Sequence, residues 1–404
     1  MFESVPMAAP DAIMGLTEAF KKDPNPDKIN LTIGVYKDDS GQTPIFTSVK
    51  KAEARLLENE QTKSYLSIEG EATYGACVQS MVFGEDHEII TGNRAVTAHT
   101  PGGTGALRVA GEFLAKIRPG ATLWLSQPTW PNHPGVFEAA RLNVKTYPYY
   151  DPELKSLDFE AMTNALKDAG EGDIVLYHGC CHNPTGMDPN HEQWKILAQL
   201  TRDRGFTPFF DFAYQGLGTG LEEDARGLRE FCTEGCEMLV ASSFSKNFGL
   251  YRERTGALTL VAGSSDAAQC SLSQLKSVIR ANYSNPPAHG AAIVSTVLTD
   301  PELSTEWKQE VLAMCERINA MRQQFVDKLH ALGVSEDYSF LTRQKGMFSF
   351  SGLTPGQVER LRDEFGIYIV GSGRVNVASI TSENIDRLCE CIARVVADSE
   401  VVAD

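Results

Sequence analysis

Met238-Leu-Val-Ala-Ser-Ser-Phe-Ser-Lys246-Asn-Phe-Gly249 opens as an apolar run, passes through small hydroxyl residues and ends at a lysine with a glycine beyond it. A short apolar run bounded in this way reads as a strand buried on both faces, the kind found in parallel sheets. Runs of the same texture recur at 95–99, 122–126, 173–176, 208–212 and 257–261. Amphipathic stretches stand between several of them, at 105–117, 191–204 and 225–232. This alternation predicts an α/β fold: a large domain with a mostly parallel mixed sheet between helices, binding its ligands beyond the carboxyl ends of the strands.

Past residue 300 the texture changes. One long helix is expected over 306–332, then Gly346-Met-Phe-Ser-Phe350, a helix near 354–365, the segment 374–377 and a final helix. These make a smaller α+β domain. Residues 29–37 are expected to pair with it, since Asp39-Ser40-Gly41 and Pro44 punctuate their end. The predicted division is an N-terminal arm at 1–10, a first part of the small domain at 11–43, a large domain at 44–313 and the rest of the small domain at 314–404.

A chain of 404 residues exceeds what one core organises, so two domains are the natural expectation. Its formal charge of −16 argues against nucleic acid or an anionic membrane as partner. It does not exclude small anionic substrates, because a few buried arginines make one pocket locally positive. No run approaches the roughly 18 apolar residues of a membrane span, and the first ten residues lack the basic start and apolar stretch of a secretory signal. The nine cysteines show no Cys-x-x-Cys pair, which suits reduced thiols in the cytoplasm.

Chemistry concentrates after the strands. A lysine at a strand's carboxyl end suits Schiff-base formation if burial or a nearby cation lowers its proton affinity, and Arg254 follows Lys246 closely enough to supply that cation. Taken alone, such a lysine is more often a solvated surface charge. Ser243 and Lys246 also spell Ser-x-x-Lys, but its usual companions Ser-Asp-Asn and Lys-Thr-Gly are missing. Asp211 ends the next apolar run, where a carboxylate is either a structural acid or the partner of a protonated ring nitrogen; Tyr214 follows it. His178-Gly-Cys-Cys-His182-Asn183-Pro-Thr-Gly186 is dense in Cys and His, yet its spacing fits no zinc pattern, so no metal is expected; it reads as a tight turn displaying Asn183, with Pro184 a candidate cis residue. Thr100-Pro-Gly-Gly103-Thr104-Gly105 is a glycine turn opening a helix, able to bind phosphate through backbone amides, and it matches neither dinucleotide nor Walker motifs. Trp130 offers an aromatic face, and Arg280 and Arg374 offer two separate carboxylate clamps.

With these segments in view, the chain closely resembles the aspartate aminotransferases of the class I pyridoxal-phosphate-dependent family, of fold type I. The resemblance covers nearly the whole length. It rests most on Ser243-Phe-Ser-Lys246-Asn-Phe-Gly-Leu-Tyr251-Arg-Glu-Arg254-Thr-Gly256, then on Lys63-Ser-Tyr65-Leu, Cys181-His-Asn183-Pro-Thr-Gly, Arg280-Ala-Asn-Tyr-Ser-Asn-Pro-Pro-Ala-His-Gly and Gly373-Arg374-Val-Asn-Val. Ser64 stands where close relatives often carry Asn. The resemblance implies that Lys246 holds pyridoxal 5'-phosphate as an imine and then shuttles the substrate proton. It implies that Asp211 pairs with the pyridine nitrogen, that Asn183 and Tyr214 bond the ring oxygen, and that Trp130 stacks on the ring. Gly103, Thr104, Ser243 and Arg254 would bind the phosphate, with Tyr65 contributing from a second subunit. Arg374 would clamp the substrate α-carboxylate and Arg280, from the neighbouring subunit, the side-chain carboxylate, with Gly34 forming part of the wall over the substrate. The implied protein is a homodimer with shared active sites. It would interconvert L-aspartate and 2-oxoglutarate with oxaloacetate and L-glutamate by a ping-pong route through the pyridoxamine phosphate form. An aromatic or broad-specificity aminotransferase is the alternative within the class. Outside it stand a ligand-binding protein without turnover and a decarboxylase or lyase on the same fold.

Overall fold

The computed structural model describes residues 1–8 and 12–401. The chain forms two compact units: Pro44–Arg317, and Met1–Thr43 together with Ile318–Asp404. The second crossing, between Arg317 and Ile318, falls inside one helix, Pro301–Ala331. Of the expected arm 1–10, Ala9 and Pro10 lie outside the described residues. Among the described residues no helix is long and apolar enough to cross a membrane.

The larger unit is organised by a seven-stranded sheet. Its strands are β1 (Ala95–Pro101), β2 (Thr122–Gln127), β3 (Asn143–Pro148), β4 (Ile174–His178), β5 (Thr207–Phe212), β6 (Met238–Ser243) and β7 (Thr255–Val261). They lie in the order β1-β7-β6-β5-β4-β2-β3. Only β7 runs antiparallel to its neighbours. Six of the strands were expected; β3 was not, because Asn143-Val-Lys-Thr-Tyr-Pro148 is a largely exposed edge strand with no apolar run to announce it.

Strands β4 to β7 are buried nearly throughout, so successive side chains feed opposite layers. On one face Leu176, Phe209, Leu239 and Leu258 join Leu107 and Phe113 of α1 (Gly102–Ile117) and Leu275 and Ile279 of a later helix, Ser265–Asn282. On the other, Phe210 meets Phe231 edge to face at 5.0 Å, with Tyr177 and Trp194 beside them. Trp194 comes from α2 (His191–Arg204), which starts on a reciprocal Asn190–Gln193 capping box and stops at left-handed Gly205. Helix α3 (Leu221–Arg229) begins earlier than expected, its first turn carrying Glu222, Glu223 and Asp224 at the positive end of the helix dipole.

In the smaller unit Ile29–Asn30 pairs parallel with Ile367–Tyr368, and Phe348–Phe350 pairs antiparallel with Arg374–Asn376. The helix Pro355–Phe365 has its own capping box, Thr354–Gln357, and ends at left-handed Gly366.

Because Phe210 fills a buried aromatic layer, Phe210→Ala should cost about 3–5 kcal/mol of stability. Urea denaturation checks this, and a loss under about 1 kcal/mol would mean that the layer collapses around the gap.

Candidate active site

Parallel strands deliver their carboxyl ends to one side of a sheet, and the candidate residues of the larger unit gather there. Register sets Asp211 of β5 directly between His178 of β4 and Ala241 of β6. Lys246 lies just past the end of β6, and its Nζ stands 4.5 Å from the centre of the Tyr214 ring. The Asn183 amide reaches the Tyr214 hydroxyl at 3.5 Å, and both side chains are buried. Three contacts hold the lysine loop. Trp307 donates to the Asn247 carbonyl at 2.8 Å and stacks on Phe248, and the Asn247 amide donates to the Gln215 carbonyl at 3.1 Å.

Asp211 is a buried carboxylate and needs donors. They come from a chain of side chains whose direction can be assigned. The backbone N–H of Asn183 donates to His178 Nδ1 at 3.3 Å, so the proton of that ring sits on Nε2 and points at Thr129 Oγ1, 3.1 Å away. The Thr129 hydroxyl then donates to His133 Nδ1 at 2.7 Å, and His133 Nε2–H donates to Asp211 Oδ2 at 2.9 Å. Burial alone would raise the Asp211 pKa. The hydrogen bond from His133 and the favourable electrostatics of His133, His178 and Lys246 outweigh it, so the carboxyl titrates below its ordinary value. Burial, reinforced by His133, pushes His178 down to about 3 despite Asp211, which keeps that ring neutral as the donor chain requires. Sequence reading missed His133, Thr129 and His178 as partners. A buried acid signals that a donor exists, but not which of the chain's histidines supplies it. Trp130 packs edge to face on His133 at 5.2 Å.

A second cluster forms where β1 turns into α1. Gly102 has φ +75°, and a Cβ there would fall 2.4 Å from the Arg254 guanidinium. A Cβ on Gly256 would fall 2.4 Å from the Gly102 carbonyl carbon, and one on Gly103 would lie 3.0 Å from Ser243 Cβ. Register explains the convergence, since Gly256 pairs with both Thr100 and Ser243. The first N–H groups of α1, around Gly103 and Thr104, have no partner within the helix and come together with Ser243 and Arg254 in a glycine-walled cradle suited to an anion. The helix was expected from 105; it starts at Gly102 because the glycines that read as a turn form its first residues.

Burial lowers the pKa of Lys246 to about 8, with Arg254 pushing the same way and Asp211 opposing both. Tyr65 and Arg280 are not part of this buried group. Tyr65 is 93% exposed, and Arg280 is exposed near the end of its helix, bonded to Ser284. The Asn285 amide, donating to the Leu66 carbonyl at 2.9 Å, ties their two segments together. In the smaller unit Arg374 is buried, donates to the Thr32 carbonyl at 2.6 Å and lies 4.1 Å over the Phe348 ring. Gly34 packs on the same ring, where a Cβ would fall 2.5 Å from Phe348 Cζ. The peptide bond before Pro184 is cis.

Residues 26–392 match the family Aminotransferase class I and II. The chain belongs to this family. Among related class I and II aminotransferases, the aspartate aminotransferase of Salmonella typhi is 57% identical over 396 residues, covering 98% of this chain and 100% of the relative. The aromatic-amino-acid aminotransferase of Pseudomonas aeruginosa is 47% identical, covering 98% and 99%. A solved aromatic-amino-acid aminotransferase from Burkholderia pseudomallei, covalently bound to pyridoxal phosphate, superposes with a TM-score of 0.96 at 46% identity, covering 98% of this chain and 99% of that one. Class I and II aminotransferases are pyridoxal-phosphate enzymes, and the residues here fit that cofactor. The glycine-walled cradle suits a phosphate, Asp211 is an anion at the floor, and Lys246 is an amine that loses its proton easily.

In the cofactor-free protein Lys246 should react with trinitrobenzenesulfonate with a midpoint near pH 8, since only the neutral amine above its pKa is nucleophilic. Asp211→Asn should lower that midpoint and Arg254→Gln should raise it. Peptide mapping reads both shifts, and an unchanged midpoint in the two variants would show that neither neighbour acts on the amine.

Proposed function

We propose that the protein transfers the amino group of L-aspartate to 2-oxoglutarate, giving oxaloacetate and L-glutamate in a ping-pong cycle. The observation that carries the reading is the meeting of Lys246, Asp211, Tyr214 and Asn183 at the strand ends beside an anion cradle. Bound pyridoxal phosphate supplies an electron sink that makes the substrate Cα–H acidic.

The chain supplies the rest. Gly103, Thr104, Ser243 and Arg254 would hold the phosphate. Asp211, kept ionised by His133, stabilises a positive ring nitrogen. Tyr214 and Asn183 present a hydroxyl and an amide N–H to the ring oxygen, and Trp130 offers its face to the ring. Lys246 Nζ, with its pKa near 8, takes the proton from the substrate Cα and holds it for return.

Arg374 is proposed as the anchor of the α-carboxylate, with Gly34 as part of the wall over the substrate, and Arg280 of the partner subunit as the anchor of the second carboxylate. Tyr65 of the partner subunit completes the phosphate site. The exposure of Tyr65 and Arg280, on segments joined by the Asn285–Leu66 hydrogen bond, supports a homodimer in which each copy lends them to the other. We propose a cytoplasmic location, where a reducing environment suits the nine free cysteines.

An aromatic substrate is the second reading, favoured by the aromatic-amino-acid aminotransferases among the relatives. Excess L-aspartate added alone to the holoenzyme should bleach the visible cofactor band as the cofactor takes the amino group. The ratio of kcat/KM for aspartate over phenylalanine then decides between the readings, and a ratio below one would overturn the first. Lys246→Ala should abolish turnover while the fold persists. Arg280→Asp should lower kcat/KM for aspartate by at least about a hundredfold, the cost of a lost pair of charged hydrogen bonds. It should leave alanine nearly untouched, and equal losses on both would remove Arg280 as the distal clamp.

A further inference from the structure

The adjacent thiols Cys180 and Cys181 have no part in the chemistry above. They are 5% and 2% exposed, and Asp224, from the first turn of α3, is 7% exposed. One ligand atom from each of the three, two sulfurs and a carboxylate oxygen, lies within 4.8 Å of the other two. The fold aims the carboxylate at this spot. Asp224 accepts N–H bonds from Gly216, Gly218 and Thr219, each at 2.9 Å. A Cβ on Gly218 would fall 2.7 Å from Asp224 Oδ1 and 3.0 Å from Cys181 Sγ, so oxygen and sulfur border the same small space. A second carboxylate, Asp188, accepts the N–H of Cys181 at 2.7 Å and that of His182 at 2.9 Å.

We propose that Cys180, Cys181 and Asp224 bind a thiophilic divalent cation of the zinc and cadmium class, with water completing a tetrahedron. Zinc–sulfur bonds of about 2.3 Å place two sulfurs about 3.8 Å apart in such a site, a contraction of under about 1 Å from the observed spread. On binding, the two thiols pass their protons to solvent, so two neutral thiols, one carboxylate and a dication become a complex of charge −1 plus two protons. Two carboxylates, Asp224 and Asp188, bring negative charge to the two sulfurs, and a dication offsets it.

Spacing in sequence spoke against a metal at this segment because the third ligand comes from a distant helix. The ion would also touch the reaction. Cys181 Sγ lies 4.0 Å from the Tyr214 carbonyl oxygen and Cys181 is followed closely by Asn183, so drawing the sulfurs together shifts both loops and inhibits turnover.

Metal-free holoenzyme, kept reduced, is titrated with cadmium chloride while the ultraviolet thiolate-to-cadmium charge-transfer band is followed. One equivalent per chain should saturate it. Cys180→Ser and Cys181→Ser should each weaken binding by more than the roughly 10–100-fold that loss of an outer-shell partner costs, and Cys270→Ser, at an exposed thiol, should not. X-ray absorption on unmutated protein holding one zinc should count two sulfur neighbours, a reading independent of how the variants fold. No saturable band, a band that survives both serine variants, or a sulfur count other than two would overturn the site.

Discussion

The hydrogen bond from His133 to Asp211 is the contact on which the site depends. A carboxylate buried at the end of a central strand would, without a donor, take up a proton and become a neutral group. A neutral acid could hold no positive charge on a ring above it, and Lys246 would lose the neighbouring negative charge that opposes its low proton affinity. The donor is itself held in the right tautomer by Thr129, and Thr129 by His178, whose ring accepts from the backbone of Asn183. One polar chain thus orients Asp211 at one end and the loop that displays Asn183 at the other. Each link is satisfied by the next, and all but the half-buried Thr129 are buried, the condition under which interior polar networks rigidify a site.

Lys246 shows the cost of this arrangement. Its pKa in the folded protein, about 8, is below its ordinary 10.5. Between those values the unfolded chain binds more protons than the folded one, so stability rises with pH across the window. Below about pH 8 the penalty of a buried ammonium is present in full, and above about pH 10.5 it is gone. Asp211 follows the opposite rule for acids: its depressed pKa contributes stability that is complete above the ordinary 3.8 and lost as pH falls further. The site therefore stores strain at the amine and draws stability from the acid, and capturing the amine covalently removes the strained term.

Much of this was legible before any coordinates. Lys246, Asp211, Tyr214 and Asn183 follow apolar runs that read as buried strands, and strand ends in a parallel sheet share one edge. What the sequence hid has physical reasons. Strand β3 is polar because it lies at the sheet edge, and α3 begins in a run of acids rather than apolar residues. His133 meets Asp211 through register across strands, which no local pattern encodes. Tyr65 and Arg280 were singled out by motif alone, and within one chain both remain on the surface.

The reversed direction of β7 has a kinetic meaning. Because that strand runs against its neighbours, its first residues lie at the same edge as the last residues of β6, so one short loop carries both Lys246 and Arg254. On the proposed reading, the covalent anchor and the anionic anchor of the cofactor would thus belong to one loop and open as one unit in native-state hydrogen exchange. Fraying of this loop would release both anchors together, and an occupied site protects the amides of the whole segment at once.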